Sequence, residues 1–542
     1  MIRYLSVFLM VLTLSNLYYS QEYKYYEYIN ANNVLMWVGA NGMGAHDIST
    51  GNGGLYWDTT AYNRAGTAIF ADGPVFGFKL NGKVNVQASN YRYGFNPVPV
   101  GMNTYDSVKY IAKVRPDWKS LRPWEGRGEY QFYHEYYPWG NGAPYIDVNQ
   151  NGAYNHEIDI PDYLGDEMLW WTSFADDSAK SAFVYGSPPV KLEIQTTVWA
   201  ENTIFPDVVY KEYLFINHEP DSLTDFYFGY WSDPDVGNAS DDYVGVDTSL
   251  NMMFAYNGDD NDEFWYGTSP ASAGYLLLDG PVIKGVAGDT ARNNGNILPT
   301  AKNLPLTSFQ FYLGGSHIYS GPDMGVYNGS LRMYNQLKGL IWNGTSFVNP
   351  ITQHKTKFCL SGDPISGEGW YEGEGWSGGA PPGDRRMVMS TGPFNMAPGD
   401  TNCVTIAICL ARDTGRLNSL AKLKQLAADV KHHWLYEVER KLPEAKFIRE
   451  EPAIPASFII SNNYPNPFNN VTNINMELPQ SGNIKIVVFN ALGEVVSEIT
   501  EHSPTAGYKS IQINGSGLSS GVYFYTVLFR GETKLGKFVM LK

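Results

Sequence analysis

Cysteine is scarce in this chain: 542 residues carry three, Cys359, Cys403 and Cys409. No CxxC or CxxCH occurs, which excludes zinc ribbons and c-type haem attachment. Cys403 and Cys409 lie an even number of residues apart on one apparent strand. They share a face but sit too far apart to bridge directly. Cys359 could pair with either, or all three could be small buried hydrophobes. Charge is also sparse, at 17% of residues, and it is lopsided, with a formal net charge of -16. Lys and Arg form no run, and an acidic surface repels phosphate backbones, so nucleic acid is excluded as a partner. Beyond the N-terminus no apolar run approaches the roughly 18 residues of a membrane helix. HExxH, the P-loop, and a GxGxxG set between strand and helix are absent too.

What is abundant is aromatic, glycine and proline: 15% aromatics, 55 Gly and 31 Pro. Tyr, Trp and Phe suit wide pleated surfaces, and Gly and Pro suit many turns. From Val34 to about Leu410 short β-type runs alternate with Gly, Pro, Asn and Asp clusters. Leu192, Ile194, Thr196 and Val198 alternate with Lys191, Glu193, Gln195 and Thr197, which is the period of a strand with one wet face. Asn81-Gly82 between two such runs is a hairpin signal. One segment, Ser419 to Lys441, reads as a helix. Leu420, Leu423, Leu426, Val430, Trp434, Leu435 and Val438 recur at mostly three- and four-residue steps, and Pro443 stops it. This helix is expected to dock on the sheets and close the domain. His432-His433 with Glu437 near its end reads as solvated or capping residues.

The N-terminus has the form of a secretory signal. Arg3 supplies charge, residues 4–14 an apolar core, and Ser20 a cleavage point. Residues 449–456, charged and then proline-containing, have linker composition. The expected organisation is a signal peptide over 1–20, a β-rich passenger over 21–448, the linker, and a small domain over 457–542. The expected fold class is all-β. A large β-sandwich-type passenger, one unit or two fused, carries one closing helix and is followed by a small C-terminal β-sandwich.

The last module has a signature of its own. Tyr464-Pro465-Asn466-Pro467-Phe468 opens it, alternating strands follow about ten residues apart, and Gly517, Gly521 and Tyr523 lead into the final strands, ending at Lys542. Pro465 and Pro467 hold an extended entry. This module resembles the type A C-terminal sorting domain of the type IX (Por) secretion system, over about 80 residues. The resemblance implies an Ig-like sandwich, engagement with the type IX machinery, passage through the periplasm, and delivery to the outer-membrane surface or the medium.

The passenger's candidate chemistry is acidic. Asp147, Asn149, Asn151 and Asn155 stand at positions 1, 3, 5 and 9 of a loop with Gly152 at position 6, the opening of an EF-hand-type calcium loop. Position 12 departs from that pattern, being Ile158, with Asp159 one step later. A second cluster holds Asp233, Asp235, Asp241, Asp242 and Asp247, followed by Asn257, Asp259, Asp260, Asp262 and Glu263. So many acids repel one another unless cations or solvent intervene. Calcium is the expected cofactor at both, in a structural role. Carboxylates in a cleft could instead serve glycoside hydrolysis. A third feature, Gly367 to Gly379 with Trp370, Tyr371 and Trp376, could stack on sugar rings or pack inward. Burial is the default for Trp118, Trp124, Trp139, Trp170 and Trp171, and His46-Asp47 and His134-Glu135 are isolated pairs. No catalytic constellation emerges. The leading expectation is a secreted, calcium-stabilised binding or adhesion protein with a glycan as one candidate ligand. A secreted polysaccharide hydrolase and a structural surface or matrix component are the alternatives.

Overall fold

Hydrophobic patterning builds the passenger outward from two facing sheets. The computed structural model describes residues 23–58, 66–102, 108–373, 376, 379–436, 457–460, 463, 466–469, 471–503 and 506–541. The expected signal peptide and linker lie outside these, as do Glu437, Val438 and Pro443 at the expected helix end. The chain divides into two compact units, Met1–Pro443 and Glu444–Lys542.

In the first unit a nine-stranded antiparallel sheet runs Ala112–Val114, Glu167–Phe174, Leu192–Ala200, Val208–Asn217, Thr401–Arg412, Ala271–Asp279, Met252–Asn257, Asp242–Asp247, with Asn96–Pro97 paired to the second of these. The five-stranded sheet opposite it runs Ser308–Leu313, Arg385–Met396, Leu223–Asp233, Ala71–Leu80, Lys83–Ala88. A four-stranded sheet near the N-terminus adjoins it through bridges from Val38 to Gly44 and from Gly44 to Asp72. Side chains from both sheets, among them Phe76, Phe226, Phe228, Val209, Phe215 and Ile406, form one buried core. Leu192, Ile194 and Val198 point into it. Asn81-Gly82 makes the expected hairpin, both residues at positive φ (51° and 75°) and Leu80 opposite Lys83.

Four α-helices occur among the described residues: α1 (Arg127–Glu135), α2 (Ser178–Val184), α3 (Tyr327–Leu337) and α4 (Arg416–Tyr436). α4 is the expected closing helix. It buries Leu420, Leu423, Val430 and Trp434 against Trp199, Tyr210 and Leu276 on the outer face of the larger sheet, while Leu435 stays exposed. The other three correct the expectation of a single helix. α1 and α2 are too short to display a period over an 11- to 18-residue window. α3 buries Gly329, Ser330 and Gln336 beside Met333 and Leu337, so it carries no apolar stripe. Its docking is written in the sheet instead: a Cβ at Gly77 or Gly229 would collide with the two Leu337 methyls. α2 and α3 cover the outer face of the smaller sheet, where Val184, Met333 and Leu337 pack on Val75, Trp231 and Val388. Most central strands are therefore buried on both faces; in Leu192–Ala200 the expected wetter face persists at the half-buried Glu193 and Gln195 and is lost at Thr197.

The second unit is a small sandwich of a three-stranded sheet (Ile459–Ile460, Val471–Leu478, Gly507–Asn514) and a four-stranded one (Val495–Ser503, Gly482–Phe489, Gly521–Phe529, Glu532–Met540). Ile474, Met476, Ile484, Ile486, Tyr525, Val527 and Phe538 alternate inward to form its core.

Candidate metal centre

The strand Leu223–Asp233 ends the smaller sheet's centre with a carboxylate, and the chain then turns sharply. Asp235 at φ 39° and Gly237 at φ 78° curl the backbone back. The neighbouring strand Arg385–Met396 pairs antiparallel with it, Ser232 opposite Met387, which brings Asp384 to the same corner. Asp233, Asp235 and Asp384 each place one carboxylate oxygen within 4.8 Å of the others.

Their environments differ. Asp233 is buried: one oxygen accepts the Tyr91 hydroxyl at 2.6 Å, the other has no hydrogen-bond partner. Burial raises its pKa, against the pull of Tyr91 and Arg386. Burial, then repulsion by Asp233 and Asp384, pushes Asp235 up to about 7. Asp384 is exposed and lies 3.3 Å from Arg386, whose Nε is 3.5 Å from Asp233. Three carboxylates and one guanidinium leave a formal charge of two minus when all are ionised. That donor set, oxygen only, fits a hard divalent cation.

A cleft adjoins the corner. One cavity of about 490 Å³ is lined by Phe70, Tyr91 and the three carboxylates with Arg386. A second of about 380 Å³, mostly apolar, has Tyr185, Trp231, Tyr312 and Met333 in its walls and shares Tyr91, Asp384 and Arg386 with the first. None of Tyr91, Asp384 and Arg386 stood out in sequence as a site residue, because 142 or more positions separate Tyr91 from the acids and no local pattern links them.

The other expected ligands are distributed as follows. Asp241 and Asp242 lie beyond the turn, at the start of the strand Asp242–Asp247, outside the three-carboxylate group. Asp247 is at the far end of that strand, 3.1 Å from Lys424 and accepting the Ser249 amide; the structure does not bring it to the cluster. Asp147, Asn149, Asn151, Asn155 and Asp159 do form one loop. Asp147 accepts the amides of Asn151 and Gly152, and Asp159 accepts those of Val148 and Asn155. Gly152 at position 6 has φ 75°. These bonds wind the loop and orient its oxygens.

The glycine-rich loop packs inward. Trp370 is buried edge-on to Trp376, with centroids 5.5 Å apart, so its face is closed to a ligand. Glu372 is buried in an ion pair with Arg385 at 2.5 Å and accepts the Val244 amide. Glu374, Gly375, Ser377 and Gly378 lie outside the described residues. Trp118, Trp170 and Trp171 are buried as expected; Trp124 (75% exposed) and Trp139 (40%) are not. His134 packs on Trp118, and Asp47 caps its own turn through Ser49. Cys359, Cys403 and Cys409 are all buried.

In the C-terminal module Asn466 and Phe468 are structural anchors. The Asn466 side chain accepts the Val539 amide at 2.9 Å, and Phe468 exchanges backbone bonds with Val539 and Leu541 on the last strand. The Asn466-Pro467 peptide is cis. Gly517 lies in the turn and Gly521 starts a strand, with the Tyr523 hydroxyl donating to the Ser519 carbonyl. Tyr464, Pro465 and Lys542 lie outside the described residues.

No curated protein matches the chain. Among solved structures, a polysaccharide lyase aligns at 8% identity and a TM-score of 0.24, over 95% of this chain and 46% of the other. The dimeric latent PorU from Porphyromonas gingivalis aligns at 8% identity and a TM-score of 0.14, over 69% and 31%. The chain spans less than half the length of either, and at these scores the likeness carries nothing about fold or activity. No helix among the described residues is long and apolar enough to cross a membrane. Residues 462–541 match the family model of the secretion system C-terminal sorting domain, and the C-terminal module is accordingly a type IX sorting domain, the address that sends a chain out to the cell surface or beyond it.

Proposed function

We propose that this is a type IX-exported binding protein whose passenger holds calcium at Asp233, Asp235 and Asp384 and takes its ligand in the adjoining aromatic cleft. The observation that carries the reading is the convergence of three carboxylates with a buried, unpartnered oxygen of Asp233 among them. Such a group is costly to ionise without a cation, and calcium with its six to eight oxygen ligands suits it. The hydrolase alternative needs two carboxyl groups about 5 to 9.5 Å apart with room for the sugar or a water between them; the calcium reading needs one oxygen from each carboxylate to converge, as those of Asp233, Asp235 and Asp384 do to within 4.8 Å. The loop Asp147–Asp159 is a second, independent calcium candidate, with amide-oriented oxygens and Gly152 at its bend. The ligand class that suits the cleft is one with apolar faces and hydroxyls, as sugars have, because Tyr and Trp rings form its walls beside Arg386 and Asp384.

The test is made on the purified full chain. Thermal melting with calcium and with chelator should differ by several degrees, and Asp384→Asn should shrink the difference. A glycan screen should give signals that calcium sustains. Identical melting curves would overturn the calcium assignment; a blank screen in calcium would overturn the glycan one.

A further inference from the structure

The acids beyond the turn make up a different group from the corner triad. Asp242 and Asn257 are directly opposite each other on the antiparallel pair Asp242–Asp247 and Met252–Asn257. Their side chains therefore rise on one face, with Cβ atoms about 4.5–5.5 Å apart. Both are fully buried, at 1% and 0% exposure. One Asp242 oxygen accepts the Val236 amide at 3.0 Å, and the other has no partner. The Asn257 side-chain amide donates to the Asp259 carbonyl at 3.1 Å, which fixes its orientation and leaves its own carbonyl oxygen buried and unpartnered. A third unpartnered oxygen belongs to Asp241. Asp262 is already engaged elsewhere. It caps the amides of Phe264, Trp265 and Tyr266, and its carboxylate lies so close over Gly237 that any side chain there would strike it.

Three buried oxygens that accept nothing, from two carboxylates and an amide, form an incomplete set. Each orphaned group costs about 1–3 kcal/mol, more when charged. The strongest charged neighbours of Asp242 are Asp235, Asp241 and Asp262, all acids. Those of Asp241 are Glu263, Asp262 and Asp259. An amide oxygen cannot be relieved by taking up a proton, as a carboxylate can, so Asn257 points to a cation. All the donors are hard oxygens, the preference of calcium.

We propose that a further divalent cation, calcium, binds among Asp241, Asp242 and Asn257, whose unpartnered oxygens supply its protein ligands. This site is separate from the Asp233–Asp235–Asp384 corner, although Asp235 is repelled by Asp233 and Asp384 and itself repels Asp242. The loop 257–263 also caps the closing helix, since Asp260 accepts the Arg416 amide at 3.0 Å. The ion therefore pins together the hairpin, the turn after Asp233 and the start of α4.

The experiment is calcium counting on the full chain, by elemental analysis after chelation, reloading and gel filtration, with calorimetric titration. Asp242→Asn and the milder Asp241→Asn should each lose one calcium per chain, or bind it at least tenfold more weakly. Asp384→Asn should keep that ion and lose a different one. The double variant Asp241→Asn/Asp384→Asn should lose both. Should Asp242→Asn not fold, Asp241→Asn carries the test. If Asp241→Asn and every folded variant of this group bind as many calcium ions as wild type with unchanged affinity, this site does not exist, whatever Asp384→Asn shows about the corner.

Discussion

A buried ion pair clamps the two passenger sheets, and replacing one partner should be among the most damaging single changes in the chain. Lys211 comes from Val208–Asn217 in the larger sheet and Asp72 from Ala71–Leu80 in the smaller; Nζ and Oδ1 are 2.9 Å apart with 2% and 0% side-chain exposure. The Tyr230 hydroxyl accepts from Nζ at 2.8 Å, Tyr275 donates to the other Asp72 oxygen at 3.2 Å, and Ser232 reaches Tyr275 at 2.8 Å. The Gly44 backbone lies against both charges, where no side chain would fit. Burial drags the Lys211 pKa down, and Asp72 holds it up. In Lys211→Met the Asp72 carboxylate is stranded, at a cost of about 3–5 kcal/mol. With about 2.1 cal/mol/K of unfolding entropy per residue over roughly 400 residues, the melting temperature falls by about 4–6 °C. Lys211→Met with Asp72→Leu removes both charges and should recover most of that loss. Differential scanning calorimetry of the full chain decides it. A single variant within a degree of wild type, or a double as unstable as the sum of the singles, refutes the clamp.

Four other outcomes are expected. Trp434→Ala removes the Nε1 bond to Asp279 (2.9 Å) and the stacks on Trp199 and Tyr210; it should cost about 3–5 kcal/mol in denaturant unfolding. In chelator, Asp235 binds a proton up to about 7 when folded but only to about 3.8 when unfolded. Wild type should therefore lose stability relative to Asp235→Asn as pH rises from about 4 to 7, with no further loss above; a flat difference would count against that shift. Burial pushes the Cys409 thiol up to about 12 and raises Cys359 well above its usual range, so neither should react with a thiol reagent until the chain unfolds. Deleting residues 462–541 should leave the passenger in the periplasm, as cell fractionation would show.

The readable parts of this chain were local. Alternation marked the Leu192–Ala200 strand, Asn81-Gly82 marked a hairpin, and the stripe from Leu420 to Trp434 marked α4, because each needs only its own neighbours to be recognised. The sorting module was legible through the order of its short motifs, although Asn466 and Phe468 anchor a strand 73 positions further on. What was hidden depends on distant partners. α3 docks through Gly77 and Gly229, which sit in two strands far from it in sequence. Nothing beside Lys211 in the sequence marks it as buried; Asp72, 139 positions away, makes it a core residue. The third arm of the acidic corner, Asp384, came with a strand whose pairing begins with Ser232 opposite Met387, 155 positions apart.

The acidic stretch from Asp233 to Asp247 shows why composition and geometry must be separated. As a string it is one cluster. In three dimensions a turn at Asp235 and Gly237 and a strand of six residues divide it into three fates. Asp233 and Asp235 meet Asp384 beside an open cleft, Asp242 stands opposite Asn257 on paired strands with Asp241 just before it, and Asp247 pairs with Lys424. The neutralised residue is the informative contrast. At Asp247 burial is outweighed by the Ser249 hydroxyl and then Lys424, and the pKa is lowered; where the fold supplies no such pair, burial raises Asp235, Asp241 and Asp242 together. A chain could have relieved all of these acids with lysines. On the calcium proposal, the two groups left without a lysine would take their missing charge from a cation outside the chain, and folding of this corner would then depend on that ion.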